Sequence, residues 1–514
     1  MLFNSIEYLF VFLPLVLAVF VLLARKGASE LQIAWLIVAS VVFYGSWNAA
    51  FVLLILASIV VNFLVGRVMA NAGTSATRQW LTLGVCFNLA LLGYFKYAGF
   101  FVDNLNALGN WLIPLPSITL PLAISFFTFQ QIAYLVDVSR KQCREYRFRH
   151  YALFVLFFPQ LIAGPIVHHR EMMPQFEKLG TRTGFRTDLA VGLTFITVGL
   201  FKKLVMADSL GLIADPVHTA ANAGQPIAFM DSWIATFAFS FQIYFDFSGY
   251  SDLAIGSARL FGIRLPENFH SPYKSTSIIQ FWSRWHMTLS RFLRQYLYIS
   301  LGGNRQGRLR RYRNLMLTML LGGLWHGAAW TYVVWGALHG AFLCINHAWR
   351  ALTRMLDIQS ALDRAWFQTA SLLLTFVTVS LALTVFRAAD FASAVQIIGS
   401  GFTASTVDIP GVLGATIHET ILGTVFSAFG FHPRDYISVY FLLACAASIC
   451  WLLPCTQQFM FQFQPVLTTI YPSDNQPAFL RWRGSLAQAC VLGFMLGLSL
   501  LSILSVREFI YFQF

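Results

Sequence analysis

Two histidines in apolar surroundings carry the chemistry that this sequence could perform. His326 lies in Leu321-Gly-Gly-Leu-Trp-His-Gly327, between the apolar stretches 315–324 and 328–338. His286 ends the stretch Phe281-Trp-Ser-Arg-Trp-His286, forty positions upstream. Polar groups at membrane depth are costly and are kept mostly for function. A neutral imidazole titrates near pH 7, which suits general-base work. Proton relay and metal ligation are the other roles open to such a pair. A zinc site needs three or four ligands, and no third histidine or cysteine is placed to complete one. No metal and no bound cofactor are therefore expected. The glycines around His326 let backbone or substrate approach closely. His339 follows thirteen residues later, on another helical face at about 100° per residue, and reads as a packing residue. Acidic residues at this depth are few: Asp137, Asp246 and Asp252. Asp246 keeps a proton-coupled transporter open as an alternative to an enzyme.

Such residues need a scaffold, and the composition specifies a membrane one. Of 514 residues, 57% are hydrophobic and 11% charged, with a mean hydropathy of +0.64. A soluble domain is about 25% charged. Apolar segments recur at 8–24, 33–45, 50–66, 79–101, 118–138, 188–206, 232–248, 329–349, 368–386, 436–454 and 486–505. At roughly 20 residues per crossing, they predict about eleven transmembrane helices in one all-α polytopic domain spanning 1–514. Backbone groups in lipid must be satisfied within the segment, and long unbroken runs do not fit a β-barrel. The first apolar run has no basic residue before it and reads as a retained helix. The net charge of +13 sits in short loops, at Arg140–Arg149, Lys202-Lys203 and Arg305–Arg313. That is the pattern of cytoplasmic loops facing anionic lipid, and no nucleic-acid partner is expected. The seven cysteines show no C-x-x-C spacing and read as small apolar residues.

Three segments break the pattern of simple spans. Residues 154–167 carry Pro159, Gly164 and Pro165, which predict a kinked or re-entrant element. Residues 277–301 are aromatic but interrupted by Arg284, His286, Arg291 and Arg294. A helix over 280–298 would place Trp282, His286, Leu289, Leu293 and Tyr296 on one face. Residues 315–326 are too short to span. Irregular backbone at membrane depth is tolerated only inside protein or beside water, so the three segments are expected to line a central catalytic chamber. Two less apolar loops, 402–435 and 456–485, come late. The first, with Asp408, Glu419 and Asp435, is expected to be extracytoplasmic.

An ordered set of motifs begins with Leu120-Pro-Leu-Ala-Ile-Ser-Phe-Phe-Thr-Phe-Gln130 and Phe158-Pro-Gln-Leu-Ile-Ala-Gly-Pro165. Tyr244-Phe-Asp-Phe-Ser-Gly-Tyr-Ser-Asp252, Leu265-Pro-Glu-Asn-Phe269 and the two histidine motifs follow, and the core motifs lie within 120–350. Taken together, they resemble the membrane-bound O-acyltransferase family, most closely its bacterial polysaccharide-acetylating branch. The resemblance implies O-acyl transfer with His326 as the catalytic histidine and His286 in the same chamber. Trp282, Trp285, Trp325, Asp246 and Asn268, which lie in these motifs, are expected to contact substrate. It further implies a cytoplasmic thioester donor, acetyl-CoA or another acyl thioester, and an extracytoplasmic partner acetyltransferase with a serine nucleophile. The acceptor would be a secreted polysaccharide such as alginate, and the location a bacterial cytoplasmic (inner) membrane. D-alanyl transfer to teichoic acid from an acyl carrier is the alternative within the family. Ser283 and Gln295 depart from the residues usual in the branch.

Overall fold

The computed structural model describes residues 1–109, 111–114, 118–143, 147–162, 164–179, 184–403, 436–467, 481–503 and 510. Its regular elements are all helices. Most of the late loop 402–435, including Asp408, Glu419 and Asp435, lies outside the described residues, as does 468–480. The chain falls into two compact units. One comprises Met1–Ile196, Ser251–Glu267 and Phe463–Tyr471, the other Thr197–Tyr250, Asn268–Gln462 and Pro472–Phe514.

Among the described residues, five helices are long and apolar enough to cross a bilayer: Glu7–Arg25, Ala50–Asn71, Thr74–Gly109, Phe185–Asn222 and Ala365–Arg387. Ser29–Gly45, Phe391–Ser400, Val439–Leu452 and Leu486–Ser502 are shorter apolar helices. The chain is thus a multi-pass membrane protein. Segments expected to span at 118–138, 232–248 and 329–349 are also helical, as Ile124–Ser139, Phe229–Leu260 and Trp330–Met355. They are less uniformly apolar because much of their surface meets protein. Ile124–Ser139, for example, buries Thr128, Gln130, Gln131 and Asp137. Leu53 and Leu83, by contrast, are exposed, as a lipid-facing side chain would be.

The first unit contains the proline-rich motif. The helix Phe148–Leu156 ends before Phe157, a four-residue helix Phe158–Leu161 follows, and residues 164–168 are irregular. This is the broken element that Pro159, Gly164 and Pro165 predict. Gln130 closes the gap by donating from its side-chain amide to the Phe154 carbonyl. Arg259 is paired with Asp188 at 2.9 Å, both buried.

The second unit contains both histidine motifs, and two expectations change there. The helix expected over 280–298 is interrupted. Ile278–Trp282 stops, His286 adopts a left-handed backbone (φ 43°, ψ 52°), and a new helix runs Met287–Phe292. The interruption is stabilised from far along the chain. The Met287 N–H donates to the Asn268 carbonyl at 2.9 Å, and the His270 N–H to the Arg284 carbonyl at 2.9 Å. Backbone groups that an unbroken helix would satisfy internally are satisfied here by the 268–270 strand of chain. Residues 315–326, expected to be irregular and too short to span, instead form the end of a longer helix, Arg308–His326, whose first turns carry arginines. That helix stops where Gly327 becomes extended, and the next runs Trp330–Met355.

These two helices approach at backbone distance. A methyl group on Gly323 would collide with the Tyr332 carbonyl oxygen, and one on Gly336 with the Met319 carbonyl. Backbone carbonyls cannot rotate away as a side chain would, so either methyl must push the helices apart. Gly336→Ala is expected to lower stability by about 1–3 kcal/mol, the usual cost of overpacking. Thermal unfolding in detergent micelles would read it as a lower melting temperature. A melting temperature equal to that of the parent protein would refute the close contact.

Candidate active site

His326, at the C-terminal end of its helix, is 5% exposed. Its ring is packed by Trp325 at 5.0 Å, Trp335 at 5.1 Å and Phe386 at 5.4 Å between centroids, all near edge-to-face. His286 is fully buried, and its ring lies 6.5 Å from that of His326. The structure therefore brings together the two histidines that the sequence singles out. The left-handed backbone of His286 positions its ring against Phe247, 4.6 Å away, on the Phe229–Leu260 helix.

Hydrogen bonding fixes the protonation pattern of His286. Asn268 Oδ1 accepts from the Thr288 hydroxyl at 2.8 Å and faces the Thr288 N–H at 3.4 Å. A backbone N–H can only donate, so the Asn268 atom there is oxygen. The His286 Nδ1 atom, 3.1 Å from the same oxygen, must then be the protonated one. Its Nε2 lone pair is left buried and has no hydrogen-bond partner among the described residues. Asn268, expected to contact substrate, is thus the residue that sets the tautomer of His286.

The tryptophans take different positions. Trp325 packs beside both histidines, 5.0 Å from His326 and 6.4 Å from His286. Trp285 stacks on Phe281 and Tyr273 and meets Phe269 edge-on. Trp282 donates its indole N–H to His339 Nδ1 at 3.2 Å. His339 is 1% exposed and packs 4.8 Å from Trp335. The site therefore holds a third histidine, which sequence reasoning set aside as packing. The repeated His-Gly pair at 339–340 was the one available signal, and its partner Trp282 is 57 residues away in the chain.

Asp246 precedes Phe247 on the same helix and turns to other partners. Its carboxylate pairs with Lys203 Nζ at 2.8 Å and accepts from the Ile510 N–H at 3.1 Å. Lys203 also pairs with Asp208 at 2.7 Å. A π-type turn over Phe201–Ala207 aligns Lys203 with the residue five positions on. The cation and Asp246 are both 1% exposed.

Beside Trp282 lies a cavity of about 880 Å³ with a basic rim. Arg294, Arg305, Arg311 and His347 line it, with Asn304 and Gln306, and its inner wall is Trp282, Leu293 and Met319. Arg311 donates to His347 Nδ1 at 2.6 Å. Arg305–Arg313, read from the sequence as a membrane-facing loop, is thus partly the mouth of a pocket.

The arrangement offers a buried base, a buried acceptor nitrogen and, beside Trp282, a basic cavity. Comparison with known proteins agrees. The profile of the membrane-bound O-acyltransferase family matches residues 139–386. A peptidoglycan O-acetyltransferase of Helicobacter pylori is 43% identical over 425 residues, 77% of this chain and 79% of that protein. A probable alginate O-acetylase of Pseudomonas aeruginosa is 40% identical over 438 residues, 84% of this chain and 80% of its own length. A teichoic acid D-alanyltransferase of Streptococcus thermophilus is 26% identical over 280 residues, 52% of this chain and 68% of that protein. With two motif histidines packed 6.5 Å apart and relatives alike over most of its length, this chain is an acyltransferase that belongs to the membrane-bound O-acyltransferase family.

Proposed function

We propose that the protein moves an acetyl group from a cytoplasmic thioester to hydroxyls of a secreted polysaccharide, from the inner membrane of a bacterium. The observation that carries this reading is the burial of His286 and His326 together, their rings 6.5 Å apart, in a chain that also holds a basic cavity reaching Trp282. Anionic donors fit such a rim, because guanidinium groups bind phosphates through paired N–H donors. Acetyl-CoA is the donor we favour; its diphosphate would sit among Arg294, Arg305 and Arg311, and its thioester would point towards Trp282.

In this mechanism His326 takes the proton of the attacking hydroxyl. His286 presents the lone pair on Nε2 and holds that hydroxyl in line. Trp325 packs against both rings, and Trp285 stacks on Phe281, which meets Trp282. Asp246 neutralises Lys203 and steadies the helix whose Phe247 packs on His286. A carboxylate committed to a buried cation is poorly suited to cycle protons in a carrier, which weakens the transporter alternative. The immediate hydroxyl would belong to a partner enzyme with a serine nucleophile on the far side, which passes the acetyl group to the polysaccharide. The names of the relatives that cover most of the chain favour acetyl over D-alanyl.

The test is radiolabelled acetyl-CoA supplied to the cytoplasmic face of proteoliposomes. Thioester cleavage with label appearing on a luminal hydroxyl acceptor is expected. Passage of an intact solute without cleavage would overturn the proposal, and turnover only with a D-alanyl carrier would move it to the other branch. Arg311→Glu is expected to raise the KM for acetyl-CoA by about tenfold or more, since hydrogen bonds to charged groups contribute about 1.5–3 kcal/mol. Its kcat should change little. An unchanged KM would remove the basic cavity from the donor path.

A further inference from the structure

The hydrogen bond between Trp282 and His339 can run in only one direction. An indole N–H donates and never accepts, so Nδ1 of His339 carries the lone pair. The proton of the neutral ring is therefore on Nε2. That Nε2–H is buried and has no hydrogen-bond partner among the described residues. Buried donors are almost always paired, and one left open marks a place where a ligand or water completes the site. Trp335, one helical turn earlier, contributes a second such donor, its indole Nε1–H. The Trp335 indole joins His339 to His326, and the His326 ring lies 6.5 Å from that of His286, so a buried proton donor and a buried lone pair belong to one run of packed rings.

We infer that His339 is a further catalytic residue, whose Nε2–H holds the carbonyl oxygen of the acyl thioester and the negative charge that develops on it. This rests on the acyl-transfer reading above. Both His326 and His339 contact the Trp335 indole, at 5.1 and 4.8 Å, so one acyl group against that indole reaches both. The acceptor hydroxyl oxygen attacks the carbonyl carbon and forms the new C–O bond. The carbonyl π pair moves onto oxygen, where the His339 N–H meets it, and His326 takes the hydroxyl proton. The pair then returns, the C–S bond breaks, and the leaving thiolate recovers the proton from His326. Trp282 acts as a positioning residue that locks His339 in the tautomer the step requires.

Two substitutions separate this role from simple packing. His339→Asn keeps an acceptor near the Nδ1 position for Trp282 but cannot reach the Nε2 position with a donor. His339→Gln places an amide N–H near that position. With acetyl-CoA and a hydroxyl acceptor in detergent micelles, His339→Asn is expected to lower kcat by about 10²–10³-fold, as loss of one oxyanion donor does. The KM should be nearly unchanged, and His339→Gln should recover part of the loss. Wild-type kcat in His339→Asn overturns the inference, as does equal loss in both variants with lowered melting temperatures. A measurement that needs no change at 339 uses acetyl-CoA labelled with ¹³C at the carbonyl, bound to His326→Ala protein. Its infrared carbonyl band is expected at lower frequency than in water, and a band at or above the solution value overturns the inference. Wild-type protein that cleaves no acyl thioester would instead overturn the reading on which this rests.

Discussion

Purified His326→Ala protein is expected to fold normally and to transfer no measurable acyl group. General-base assistance is worth about 10²–10⁴-fold, and here the same imidazole also returns its proton to the leaving thiolate. The helix that carries it already ends at His326, so alanine removes a ring without unravelling a turn. Trp325, Trp335 and Phe386 would close around the vacated space. Release of labelled acetate equivalents from acetyl-CoA, measured beside the gel-filtration profile, checks both halves of the expectation. Full turnover in a monodisperse His326→Ala sample would shift the base to His286, whose free lone pair is the next available.

Lys203→Met is expected to have the largest effect on stability. It leaves Asp208 and Asp246 facing each other across a buried site without their shared cation. Removing one partner of a buried ion pair costs about 3–5 kcal/mol, because the remaining charge stays desolvated. The loss should appear as reduced expression in the membrane fraction and a lower melting temperature. Combining Lys203→Met with Asp208→Asn and Asp246→Asn removes the orphaned charges and should restore much of the stability. If the single variant melts with the parent protein, Lys203 does not hold the two carboxylates together.

Much of this was legible in the sequence, for reasons that are local. The apolar runs specified helices because bilayer thickness sets their length. The two Trp-His motifs stood out because imidazoles are rare in apolar company. Pro159, Gly164 and Pro165 marked a broken element because proline removes a donor and glycine lowers the cost of irregular backbone. What the sequence did not display depends on distant partners. Periodicity favoured one helix through Trp282 and His286. The break between them is stabilised by Asn268 and His270, and no pattern within 280–298 reports that. Asp246 looked like a lone intramembrane carboxylate until Lys203 was seen beside it. His339 looked like packing because its meaning comes from the single N–H that Trp282 gives it.

The left-handed backbone at His286 has a consequence for how the protein could evolve. Glycine would occupy that turn without tension, whereas a side chain there carries a penalty of order 1 kcal/mol. Removing the ring would cost more than that relief, because it is fully buried against Phe247 and its Nδ1–H serves Asn268. In a lineage released from acylation, packing alone should therefore hold a ring at position 286, and a lasting histidine there would not by itself report a working enzyme.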